Sequence, residues 1–114
     1  MSNPQIKFSK NWNNKLSCKI FSTFRKLTSE KLDYYLANID AVFDMVLNDA
    51  EHGESCIGEA RLIGIRYTRL SDVPDYLLWL DTGCPNRADA LSIFELLGVK
   101  ESDDVIWLFF QRSP

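Results

Sequence analysis

Histidine is almost missing from this chain. His52 stands alone among 114 residues. It lies in a turn-like stretch between Glu51 and Gly53, where it reads as a solvated loop residue. With no second histidine beside it, neither a histidine metal site nor acid–base catalysis by histidine is expected. Cysteine is scarce as well. Cys18, Cys56 and Cys84 are odd in number and far apart, with no pair at metal-ligand spacing. That excludes a zinc ribbon and a disulfide framework, and fits free thiols in a reducing compartment. No metal and no other cofactor is expected. Long apolar runs are absent too. None approaches the ~20 residues needed to cross a bilayer, so no membrane association is expected. The basic N-terminus is not followed by an apolar signal segment, which makes the cytoplasm the expected location. Five glycines and four prolines fall at element boundaries rather than in a linker. Residues 1–114 therefore read as one domain, and oligomeric state has no signature in them.

Acid is missing from one region only. The first 28 residues hold Lys7, Lys10, Lys15, Lys19, Arg25 and Lys26 without a single Asp or Glu. The remaining 86 hold 7 Lys/Arg against 16 Asp/Glu, so +6 and −9 make the net charge of −3. A net-acidic body with one cationic segment attracts an anion locally while staying soluble. The chemically obvious anions are RNA, single-stranded nucleic acid or a nucleotide phosphate.

Enough apolar residue is present, 46% of the chain, for an ordinary core. Residues 5–8 alternate as a short strand. Ser9 can cap a helical stretch over 10–17, with Trp12 and Leu16 on one face. Residues 18–26 read as a strand whose Phe21, Thr23 and Arg25 share one side. A helix opens at Thr28 or Ser29 and carries a stripe of Leu32, Tyr35, Leu36 and Ile39. Residues 41–47 form a strand, 48–53 a hairpin loop and 57–69 a long strand. The apolar parity of that strand switches around Gly64, the mark of a bulge. Ser71 and Pro74 open a short helix with a Val73, Leu77 and Leu80 stripe, which leaves Tyr76 and Trp79 outside it. Asp81-Thr82-Gly83 ends it. Asn86 caps a last helix with Ala90, Ile93, Phe94 and Leu97 inward, and Gly98 ends that one. Residues 105–110 are uniformly apolar and predict a strand buried on both faces. The order β-α-β-α-β-β-α-α-β does not alternate as a wound parallel sheet does. It predicts an α+β fold, a small curled mixed sheet with helices at its mouth.

The stretches Ile6-Lys7-Phe8, Trp12, Lys15-Leu16, Ser22-Thr23-Phe24-Arg25, Asn38-Ile39-Asp40-Ala41-Val42-Phe43, Gly58-Glu59-Ala60-Arg61-Leu62, Leu70-Ser71-Asp72-Val73-Pro74 and Trp107-Leu108-Phe109-Phe110 resemble ASCH-type domains of the PUA-like superfamily. The resemblance covers almost the whole chain through short motifs. It implies a small PUA-like β-barrel with helices capping one end, and a cleft beside the barrel for RNA or a modified base. One compact bacterial branch is similar to amidohydrolases that deacetylate N-acetylated cytidine with a lysine, a threonine and a carboxylate. Carried over, the threonine falls on Thr23, the arginine on Arg25 and the carboxylate on Asp81, where that branch has Glu. Counting back from Arg25, the lysine's place holds Ile20 or Phe21, and the nearest lysine is Lys19.

Two functional expectations follow, and a third stands beside them. The first is an RNA- or nucleotide-binding domain whose basic cleft uses Lys19, Thr23, Arg25, Lys26, Arg61 and Tyr67, with Asp81 accepting from a base edge. The second is an amidohydrolase on an acylated nucleoside, with Lys19, Thr23 and Asp81 as the catalytic set. The third is a protein-interaction module that does no chemistry.

Overall fold

The computed structural model describes residues 3–8, 12–49, 51 and 53–113. His52, Ser9 and Lys10 lie outside the described residues, as does the side chain of Trp12.

The uniformly apolar C-terminal run explains the architecture. It forms a strand, Asp104–Arg112, buried at its centre on one face and buried to half-buried on the other. Ile106, Leu108 and Phe110 point into one core, while Val105 and Trp107 belong to a second. A strand with two apolar parities needs cover on both sides, and the rest of the chain supplies it. Numbered in chain order, the strands are β1 (Gln5–Phe8), β2 (Ile20–Lys26), β3 (Val42–Asp49), β4 (Gly53–Arg69) and β5 (Asp104–Arg112). They join in one sheet of order β1-β3-β4-β5-β2. Only β1 pairs parallel, to β3; the other neighbours are antiparallel. Among the described residues the fold is α+β, a five-stranded mixed sheet curled into a half-barrel with three α-helices; the class and the curled mixed sheet are as the element order predicted, whereas the helix expected over 10–17 is a 3₁₀ helix, Trp12–Ser17.

Two bulges curl the sheet. The β4–β5 register slips between Leu62 and Gly64, where the apolar parity changes in the sequence. The β3–β4 register slips between Met45 and Val46, opposite Gly58. Gly58 has φ +142°, and a Cβ there would stand 3.0 Å from the Arg112 guanidinium, so both backbone and space favour glycine. The curl carries far enough that the outermost strands meet: the rings of Phe8 on β1 and Phe21 on β2 touch edge to face, 6.2 Å between centroids. All five strands contribute to the core between them, through Ile6, Phe21, Met45, Leu62 and Phe110 among others.

The first helix, α1 (Ser29–Ala37), starts where Thr28 accepts a hydrogen bond from the Lys31 amide at 3.2 Å. Removing that cap in Thr28→Ala is expected to lower stability by about 1 kcal/mol, read as a shift in the urea midpoint at unchanged slope. The stripe expected on α1 is narrower than its spacing implied. Tyr35 is buried and Leu32 half-buried, whereas Leu36 and Ile39 are exposed. The helix stops at Ala37, so Ile39 lies beyond its end and no longer shares its face.

The second helix, α2 (Asp75–Thr82), begins later than the Ser71 and Pro74 signals suggested. Leu70–Asp72 is a 3₁₀ turn, and Pro74 is itself the residue before the helix. This delay rotates the buried face. Leu78, Asp81 and Thr82 are buried, Leu77 is half-buried against the second core as its spacing implied, and Leu80 is exposed. Gly83, at φ +79°, closes the helix in the left-handed conformation as expected. The third helix, α3 (Arg87–Leu96), is capped by Asn86 and buries Ala90 and Phe94. Helices α2 and α3 form the second core with Phe24, Leu70 and Val105.

Candidate functional site

Curling leaves a seam between β1 and β2, and a cavity of about 320 Å³ opens there. A 3₁₀ helix, Trp12–Ser17, lies beside it and presents Lys15. Strand β2 presents Thr23, Arg25 and Lys26, and α2 presents Asp81. Apolar walls come from Phe8 and Phe24 on the strands and from Ile93, Phe94 and Leu97 at α3. A mostly apolar hollow with a few convergent polar groups is the usual form of a small-molecule site.

The polar groups here are costly ones. Lys15 and Asp81 are both buried, and Lys15 Nζ donates a hydrogen bond to Asp81 Oδ1 in a closed ion pair. Burial dominates the titration of both. It pulls the Lys15 ammonium below its usual value despite the adjacent carboxylate, and lifts the Asp81 carboxyl despite the adjacent ammonium. Arg25 adds a second cation to the same group. Its guanidinium lies 4.8 Å from the centre of the Phe8 ring. Burial pulls its pKa below the usual arginine value too, with Tyr35 and Asp81 acting in the opposite direction. Among the described residues no ion pair reaches Arg25, and its Nε is shielded from solvent without a hydrogen-bond partner. A shielded guanidinium nitrogen with no partner is expensive, which points to a ligand that answers it.

Arg112 holds the arrangement from outside. Its guanidinium donates to the Leu16 carbonyl and, at 2.9 Å, to the Ile57 carbonyl. It thereby ties the 3₁₀ helix that carries Lys15 to β4.

Of the residues singled out in the sequence, Thr23, Arg25, Lys26 and Asp81 line this one cavity. Lys19, Arg61 and Tyr67 do not. Lys19 is exposed and lines a separate recess with Ser17, Gln111, Arg112 and Ser113. The lysine beside Asp81 is Lys15 in its stead. Strand β2 begins only at Ile20, so Lys19 precedes the part of the chain that faces the cavity. Arg61 Nη1 donates to the Asp40 carbonyl at 2.9 Å on the surface. Tyr67 is 69% exposed beyond the curled part of β4, outside the cavity, so the long strand does not form its second wall. The cavity instead takes its further cations from Lys7 on β1 and Lys31 on α1. Trp79, off the expected stripe, is 52% exposed on α2 beside exposed Tyr76 and Leu80.

Lys15 was missed because α-helical spacing pairs Trp12 with Leu16. In a 3₁₀ helix, with three residues per turn, position 15 falls below position 12 and shares its face. That alternative period marks it, beside the Lys15-Leu16 pair in the motif that carries the resemblance, to which no role was assigned. No family model, curated protein or solved structure matches the chain.

Proposed function

We propose that this protein is a small amidohydrolase that removes an acyl group from an N-acylated nucleoside, as the resemblance to the cytidine-deacetylating branch of ASCH-type domains implies. What supports this reading is one observation: a buried lysine–carboxylate pair, a threonine and an unpaired arginine line the same nucleoside-sized cavity. The lysine that the motif lacks at its usual place arrives from another element.

Each group has a task in this scheme. Lys15, whose ammonium burial destabilises, reaches its neutral form more readily than a surface lysine and acts as base. It takes the proton of the Thr23 hydroxyl as Oγ1 attacks the acyl carbon. Arg25 faces the oxygen on which charge develops. The carbon–nitrogen bond then breaks, and the Lys15 ammonium returns its proton to the departing amine nitrogen. Water, deprotonated by Lys15, splits the acyl-threonine ester, releases the carboxylic acid and regenerates Thr23. Asp81 holds the Lys15 amine against the threonine and balances its charge when protonated.

Acetate release from N-acetylcytidine by the purified chain tests this directly. Thr23→Ala is expected to lose at least about a hundredfold in rate, and Thr23→Ser to keep most of it. Because neutral Lys15 is the active form, the rate should rise with pH and level off below the ordinary lysine value of about 10.4. Undiminished turnover in Thr23→Ala would remove the nucleophile.

A second reading is a nucleotide- or RNA-binding site without turnover. The exposed lysines Lys7, Lys26 and Lys31 around the same cavity favour it. Salt-sensitive retention of a short single-stranded RNA, with no acetate released from N-acetylcytidine, would select it.

A further inference from the structure

The cavity's charge is strongly one-sided. Among the described residues Lys7, Lys15, Arg25, Lys26 and Lys31 line it against Asp81 alone, in a chain whose net charge is −3. These cations sit at two depths. Buried Lys15 and half-buried Arg25 lie deeper, where Lys15 is neutralised by Asp81. Lys7, Lys26 and Lys31 are exposed and come from three different elements, β1, β2 and α1. A neutral nucleoside answers none of these three.

The counter-ions now at the rim are loosely held. Lys7 Nζ meets Glu54 at 2.9 Å, with both side chains more than half exposed. Lys26 Nζ stands 3.7 Å from Asp103 and 3.4 Å from the Gly98 carbonyl. Lys31 makes no ion pair among the described residues. Exposed pairs of this kind contribute about 0–1 kcal/mol, so a ligand that offers a better anion displaces them readily.

We infer that the substrate is an anion, a nucleoside monophosphate whose phosphoryl group sits among Lys7, Lys26 and Lys31 while the acylated base reaches the floor. This rests on the amidohydrolase reading above and names its substrate class. Three ammonium groups match a phosphomonoester, which carries about −1.5 to −2 charges at neutral pH with three strong acceptor oxygens. A carboxylate, with one charge, would leave the rim over-supplied. Ammonium groups on flexible stems also suit a phosphate that must be admitted and released, since they act as point charges without fixed geometry.

Titration calorimetry at about 50 mM salt decides it, with cytidine, cytidine 5′-monophosphate and inorganic phosphate as probes. The monophosphate is expected to bind at least about tenfold more tightly than cytidine, and more tightly than inorganic phosphate. In Lys26→Gln/Lys31→Gln the preference for the monophosphate should disappear while the affinity for cytidine stays unchanged. Both side chains are exposed, so this variant keeps its fold. Equal affinity for cytidine and its monophosphate in the parent would overturn the inference, and so would a preference that survives in the variant. Inorganic phosphate binding as tightly as the monophosphate would overturn it in favour of a free-phosphate site. Acetate release from unphosphorylated N-acetylcytidine is measured separately. It stands or falls with the amidohydrolase reading, so the two failures are distinguishable.

Discussion

In Lys15→Met, deacylation is expected to fall by about 10²- to 10⁴-fold, because the base proposed to activate Thr23 is gone. The same change should destabilise the fold by about 3–5 kcal/mol at neutral pH, since Asp81 stays buried with its partner removed. Its pH dependence follows from the direction of the Asp81 shift. Burial already lifts this carboxyl in the parent, and losing Lys15 lifts it further. A carboxyl raised on folding binds its proton more tightly folded than unfolded. Stability then falls as pH climbs from the ordinary aspartate value of about 3.9 through the raised one. The deficit of Lys15→Met should therefore vanish below about pH 4 and be complete above the raised value. Urea denaturation across that range measures it. A second variant separates fold from chemistry. Lys15→Met/Asp81→Leu replaces the whole pair with apolar groups and should recover most of the stability with none of the turnover. Full activity in Lys15→Met would remove Lys15 as base. Equal stability of the single and double variants would mean that the pair is not coupled.

Phe110→Ala is expected to have the largest effect on the fold itself. Phe110 is fully buried on β5, stacked on Phe21 of β2 at 5.5 Å and edge-on to Phe43 of β3 at 5.5 Å. It thus bridges strands that lie on opposite sides of β5 in the sheet, which requires the sheet to be curled. Truncation should cost about 3–5 kcal/mol. Domains of this size hold about 5–15 kcal/mol in all, so the variant should be close to unfolding at 37 °C. A loss under about 1 kcal/mol would show that these rings do not close the barrel. Retained activity at low temperature is not expected, since β2 carries both Thr23 and Arg25 and is positioned through Phe21.

Local patterns carried much of this fold. The Thr28 and Asn86 caps, the Gly83 and Gly98 stops and the doubly apolar β5 are short-range signals, and each marks its element within a few residues. The parity change around Gly64 marked the bulge that curls β4, because alternation is a property of one strand alone. The helix faces were less legible. Leu36, Ile39 and Leu80 fit an apolar stripe by spacing, yet each is exposed, because a face is defined only once the helix's first and last residues are known.

The candidate site divides along the same line. From the sequence alone came a cationic opening segment, an acidic remainder, and Thr23 and Arg25 on one side of a strand that continues into Lys26. Tertiary structure alone decided that Lys15 rather than Lys19 meets Asp81, that Lys31 joins the rim from a helix, and that Arg61 and Tyr67 stand away from the cavity. The reason is physical. Charge and alternation are summed along the chain, whereas the pairing of Lys15 with Asp81, 66 residues apart, depends on how far a twisted sheet curls and on where a helix begins.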